Sequence, residues 1–164
     1  MRVLGKESQM TPGTVVSIHV TDVAGGTMKS VPSVHAQPGK GLEGDRYFAR
    51  TGTYSDTPGT GRDLTLIESE QIEGIEREYG IKIGTGESRR NITTVGISLN
   101  DLVDKEFKVG EAVVRGMRLC EPCAYVAGLI GDPEALKALV HRGGLRCDIL
   151  TEGTIRVGDT IDHA

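Results

Sequence analysis

Residues 105–119 read KEFKVGEAVVRGMRL, and this stretch decides the fold. Two runs rich in strand formers, 105–109 and 111–119, meet at Gly110 as the arms of a hairpin meet at a tight turn. In the second arm Val113 and Met117 are offset from the charged Arg115, and Gly116 is a candidate bulge. Working outward, residues 145–150 (LRCDIL) and 153–157 (GTIRV) predict a closing hairpin, and Gly158-Asp159 turns into a last short strand. Upstream, 90–95 (RNITTV) predicts a strand followed by a helical turn over 98–103, and 63–67 (DLTLI) a buried strand. Residues 14–21 (TVVSIHVT) predict another, with Val16, Ile18 and Val20 on one face.

Helices are few. Over 69–79 (SEQIEGIEREY), Ile72, Ile75 and Tyr79 fall at helical spacing, Glu70 and Glu73 lie where the helix dipole favours negative charge, and Gly80 suits the position past the end. A second helix is expected after Asp132 as N-cap with Pro133 in the first turn. Leu136, Leu139 and Val140 form its expected buried stripe, His141 and Arg142 suit its C-terminal end, and Gly143-Gly144 stops it. Residues 123–130 are apolar and suit one or two helical turns. Residues 22–40 read as irregular, and 41–62, rich in glycine with three arginines, as a long functional loop. Strands seldom alternate with helices, which disfavours a doubly wound parallel sheet. The expectation is a mainly β chain of about seven strands. They form a closed or partly open β-barrel with two or three short helical inserts, since closure removes exposed edges.

Composition narrows function. The chain has 164 residues, the length of one domain over 1–164, and a net charge of −4. The acidic balance disfavours non-specific nucleic-acid binding, and 4% aromatic content disfavours a base-stacking platform. No stretch nears the ~20 apolar residues that span a bilayer, and the N-terminal stretch lacks the apolar core of a signal peptide, so a cytoplasmic protein is expected. Three cysteines, an odd number, suit a reducing compartment.

Chemistry concentrates on cysteine and arginine. Cys123 follows Pro122 at the expected start of a helical turn, where the helix dipole and nearby arginines lower a thiol pKa. Such a thiolate attacks sulfur, carries a persulfide or ligates a soft metal; the bland alternative is a small buried hydrophobe. Cys120 and Cys123 form a C-x-x-C pair, but neither a second pair nor an H-x-x-x-H completes a zinc site, and no βαβ unit leads into the pair. Twelve of the 19 cations are arginine. Arg46, Arg50 and Arg62 lie in the glycine-rich loop, Arg89 and Arg90 directly precede a strand, and Arg142 and Arg146 flank the double glycine. Guanidiniums and glycine N–H groups together suit an oxyanion pocket, whereas solvated pairing with Asp45, Asp63 and Glu87 is the alternative. The sequence holds no P-loop and no nucleophile elbow.

In order along the chain come Gly41-Leu42-Glu43-Gly44-Asp45-Arg46, Arg90-Asn91-Ile92-Thr93 with Gly96-Ile97, and Lys108-Val109-Gly110-Glu111. Then follow Glu121-Pro122-Cys123, Gly143-Gly144-Leu145-Arg146 and Val157-Gly158-Asp159. This series resembles the MOSC family (molybdenum cofactor sulfurase C-terminal domain) over about 13–161. The resemblance implies a stand-alone β-barrel member that binds the molybdenum cofactor (molybdopterin), carries sulfur, or both. It gives Cys123 the role of catalytic persulfide carrier or metal ligand. Arg46, Arg89, Arg90, Asn91 and Arg146, with Asp45, become the expected cofactor-binding residues. Tyr47 stands where many members carry His. The implied partners are the anionic cofactor, a sulfur donor such as a cysteine desulfurase, and a molybdoenzyme acceptor. Two alternatives follow: a molybdenum-dependent reductase of N-hydroxylated substrates with a separate electron donor, and a non-enzymatic anion- or partner-binding module.

Overall fold

A computed structural model describes residues 11–48, 60–84, 86–121, 131–132 and 134–163. The strands are β1 (Gly13–Val20), β2 (Lys29–Val31), β3 (Ser33–Gln37), β4 (Gly41–Leu42), β5 (Leu64–Glu68), β6 (Ile92–Val95), β7 (Glu106–Val109), β8 (Ala112–Leu119), β9 (Leu145–Thr151), β10 (Gly153–Arg156) and β11 (Thr160–His163). Helix α1 spans Ser69–Tyr79, a 3-10 turn covers Leu99–Leu102, and helix α2 is the short Ala135–Ala138. Neither helix is long and apolar enough to cross a membrane.

Seven strands close a barrel in the order β11-β7-β8-β9-β5-β6-β1, with β1 returning to β11 through Gly13↔Ile161 and Thr14↔Thr160. Closure leaves none of the seven an open edge toward solvent along the ring. β2 branches from β1, and β10-β3-β4 form a separate three-stranded sheet. The ring is antiparallel apart from β5 and β6, which run parallel because α1 carries the chain across between them. The barrel interior is aliphatic but for Phe107: Ile18, Leu66, Ile92, Phe107, Val114 and Leu145 are fully buried in it. A second apolar cluster outside the barrel packs Ile75 of α1 against Ile81, Ile83, Ala138 and Leu139.

Several expectations hold at the level of single residues. The hairpin about Gly110 forms, with Val109↔Ala112 and Phe107↔Val114. Helix α1 ends at Gly80, whose φ of 68° is left-handed and whose N–H reaches Glu76 O at 2.9 Å. The ladder between β8 and β9 slips between Gly116 and Arg118, the bulge expected there.

Others are corrected. Val16 is exposed and Val15 buried, because the β1–β6 register shifts between Val15 and Ser17. That bulge swaps the phase, so Val15 and Ile18 both point inward. Residues 22–40 are not irregular throughout, since β2 and β3 lie there. Segment 153–157 does not fold back on 145–150. β10 leaves the barrel and pairs with β3, Gly153↔Ala36 to Arg156↔Ser33. The second helix is shorter than its pattern: Ala135, Ala138 and Leu139 are buried, whereas Leu136 and Val140 are exposed. Its ladder stops because the His141 N–H goes to Glu121 Oε1 at 2.8 Å, with His141 at φ 59°. The expected turns over 123–130 fall on residues outside those described.

Candidate functional site

The end of β1 is the hub of a buried polar cluster. His19 donates its backbone N–H to Asn91 O (2.6 Å), and Asn91 Nδ2 returns a bond to His19 O at 3.2 Å. Two residues on, the Thr21 N–H reaches Asp45 Oδ1 at 3.2 Å. The same oxygen accepts Arg46 Nη1 at 3.1 Å, and Asp45 Oδ2 accepts the Tyr47 N–H at 3.4 Å. The turn after β4, with Gly44 at φ 90°, thus folds Asp45 and Arg46 onto β1. Arg46 also donates to Met28 Sδ and lies 4.8 Å above the Tyr47 ring, a cation–π contact.

Arg89, Arg90 and Asn91 enter from the stretch before β6. Arg89 has φ 68° and donates to Gly26 O. Arg90 Nε bonds Gly143 O at 2.7 Å and Nη2 bonds Cys120 O at 3.3 Å. Asn91 Oδ1 accepts both the Thr65 N–H and hydroxyl, at 3.1 and 3.2 Å. Thr65 stands across the ladder from Arg146 of β9. Asp45, Arg46, Arg89, Arg90 and Asn91 each expose at most 9% of their surface. Arg146 is half-buried on the outer face, and among the described residues Thr65 and Asn91 link it to the others. Among the described buried side chains there are three guanidiniums and a single carboxylate, so positive charge is concentrated there.

The double glycine makes this assembly possible. A Cβ on Gly143 would run into Cys120 O, and one on Gly144, at φ 99°, into Leu66 O. Without side chains at both positions, β9 lies close enough for Cys120 N–H to bond Gly144 O at 2.7 Å. Next to this junction, Glu121 accepts the His141 N–H through Oε1 and pairs through Oε2 with Nδ1 at 2.7 Å. The peptide entering Pro122-Cys123 is therefore held from three sides: Gly144, Arg90 and His141.

Cys123 itself, the expected catalytic and metal-ligating residue, lies outside the described residues, as does Arg50. Cys120 and Cys147 are both buried and unbridged. Burial pushes the Cys147 thiol well up, with Asp148, Cys120 and Asp63 adding to the effect. Among the described residues no group of three His, Cys, Asp or Glu side chains could hold a metal ion.

Three contributors carry no sequence signal that spacing reveals. His19 is buried, with Ser17 Oγ 2.8 Å from Nε2 and Ser30 Oγ 3.2 Å from Nδ1, and burial lowers its pKa. Thr65 fixes Asn91. Arg118, after the β8 bulge, stands opposite Arg146.

Solved structures share the architecture. The YuaD protein from Bacillus subtilis superposes with a TM-score of 0.76 at 16% identity, covering 92% of this chain and 94% of its own. YiiM from Geobacillus stearothermophilus gives 0.72 at 20% identity, covering 93% and 75%. YiiM from Escherichia coli gives 0.65 at 15% identity, covering 94% and 69%. At such identities the likeness establishes the fold alone. No curated protein matches the chain significantly. The MOSC domain model matches residues 34–162, from β3 to β11. That span takes in the Gly-Asp-Arg turn, Arg90-Asn91 and Gly143-Gly144, so the chain belongs to the MOSC domain family, a family associated with the molybdenum cofactor.

Proposed function

We propose that this chain binds the molybdenum cofactor and carries sulfur on Cys123. The observation that supports the reading most strongly is the Arg90 bridge to Cys120 O and Gly143 O, which ties the buried cationic cluster to the entry of the Cys123 segment. The donor set suits an anionic pterin phosphate: Arg46, Arg89 and Arg90 supply buried guanidinium forks, Asp45 orients Arg46, and Asn91 fixes the backbone between them. Arg146 lies apart from them, half-buried on the outer face. When bound, such a cofactor supplies a metal that a thiolate can ligate; this chain's own part is to hold the anion and present the sulfur.

In sulfur carriage the Cys123 thiolate attacks the outer sulfur of a donor persulfide. A new S–S bond forms on Cys123 as the donor's S–S bond breaks, and the donor leaves as a thiolate. Positive charge tied through Arg90 to the peptide that leads into Cys123 favours the attacking thiolate. The partners of this reading are a cysteine desulfurase as donor and a molybdoenzyme as acceptor. Mass spectrometry after incubation with a cysteine desulfurase and cysteine tests it. The expected result is one added sulfur on the peptide containing Cys123, absent in Cys123→Ala; equal loading of that variant contradicts the assignment.

A further inference from the structure

We propose that Arg118 and Arg146 form a second oxyanion site, on the outer face of the barrel, for the phosphate group of a small ligand. The two residues are direct cross-strand partners in the β8–β9 ladder. Partners in that register project to the same side, and Leu145 and Cys147 point inward, so Arg146 and Arg118 point outward. Like charges directly opposite each other weaken a sheet. Among the described residues neither arginine forms an ion pair, and the Arg118 guanidinium has a hydroxyl partner only, Thr60 Oγ1 at 3.3 Å. Asp148, two residues along β9, gives Oδ1 to the Gly61 N–H at 2.6 Å instead.

Gly61 shows how close the two side chains lie. A Cβ built there would sit 3.0 Å from Arg118 Nη1 and 3.2 Å from Arg146 Cβ, with φ at 73°. A bare backbone thus runs past both arginines, and Arg118 is exposed to solvent. Two arginines directly opposite in the ladder, on one face, suit a tetrahedral oxyanion, which accepts paired hydrogen bonds from a guanidinium. A bound phosphate turns the cross-strand repulsion into attraction. The site does not depend on Cys123 or on the buried cluster around Arg90.

The test uses the whole chain without cofactor, with inorganic phosphate as probe and sodium chloride at matched ionic strength as reference. Phosphate at about ten times its Kd is expected to raise Tm by about 3–6 °C. Arg118→Gln and Arg146→Gln should each abolish most of that rise. Both side chains face outward, so the variants should fold, and Arg118→Gln should melt no lower than the parent in chloride. Two results overturn the proposal: no phosphate-specific rise in the parent, or a full rise retained in both variants, which would put the anion elsewhere.

Discussion

The guanidinium of Arg90 holds the peptide oxygen of Cys120, Nη2 to O, at 3.3 Å, while its Nε holds Gly143 O at 2.7 Å. One side chain thus joins the stretch leading into β6, the end of β8 and the turn before β9. Both acceptors belong to buried residues. Arg90→Ala should therefore leave two buried carbonyls without their donor and destabilise the chain by about 2 kcal/mol or more. Urea unfolding measures this directly. An unchanged midpoint would show that the bridge carries no structural weight.

The double glycine offers a sharper comparison. Gly144→Ala meets both a left-handed φ of 99° and the Leu66 carbonyl, so a loss of about 3 kcal/mol or more is expected. Gly80→Ala has φ 68° but nothing within 4 Å of the new Cβ, and should cost only about 1 kcal/mol. Similar losses in thermal unfolding would refute the claim that close approach of β9, rather than backbone conformation, demands Gly144.

Acid sensitivity should trace to His19. Burial lowers its folded-state pKa below 6.5, so the folded chain binds fewer protons than the unfolded one between that lowered value and 6.5. The stability His19 supports is then complete above 6.5 and is lost as pH falls through that window. Asp63 and Glu68 are raised by burial and act in the opposite sense lower on the scale, their charged forms costing stability as pH rises. Melting curves across this range should show a smaller acid loss for His19→Gln than for the parent. Parallel curves would remove His19 from the account.

Local patterns were the readable part of this fold. The hairpin at Gly110 and helix α1 follow from period-two and helical spacing over a few neighbours, with glycine marking each stop. The β3–β10 pair joins residues 33–37 to 153–156, and Pro32 and Pro38 bracket the first of them, so its sequence looks like loop. The face of β1 depends on one extra residue at Val16, a phase change that alternation alone does not reveal. Arg90 and Gly143, both members of the ordered motif series, meet in space through one hydrogen bond. Thr65 and Arg118 reach the site region through strand register, which arises only on sheet assembly.

The central claim concerns the ionisation of one thiol, and alkylation of native protein across a pH series, quantified on the peptide containing Cys123, measures it. With Arg90 tied to the Cys120 carbonyl three residues upstream, Cys123 should react half-maximally well below the value of about 8.5 for a free thiol. Arg90→Gln should move that midpoint upward, while the buried Cys147 stays unlabelled throughout. A Cys123 midpoint at or above the free-thiol value, indifferent to Arg90, would contradict the account.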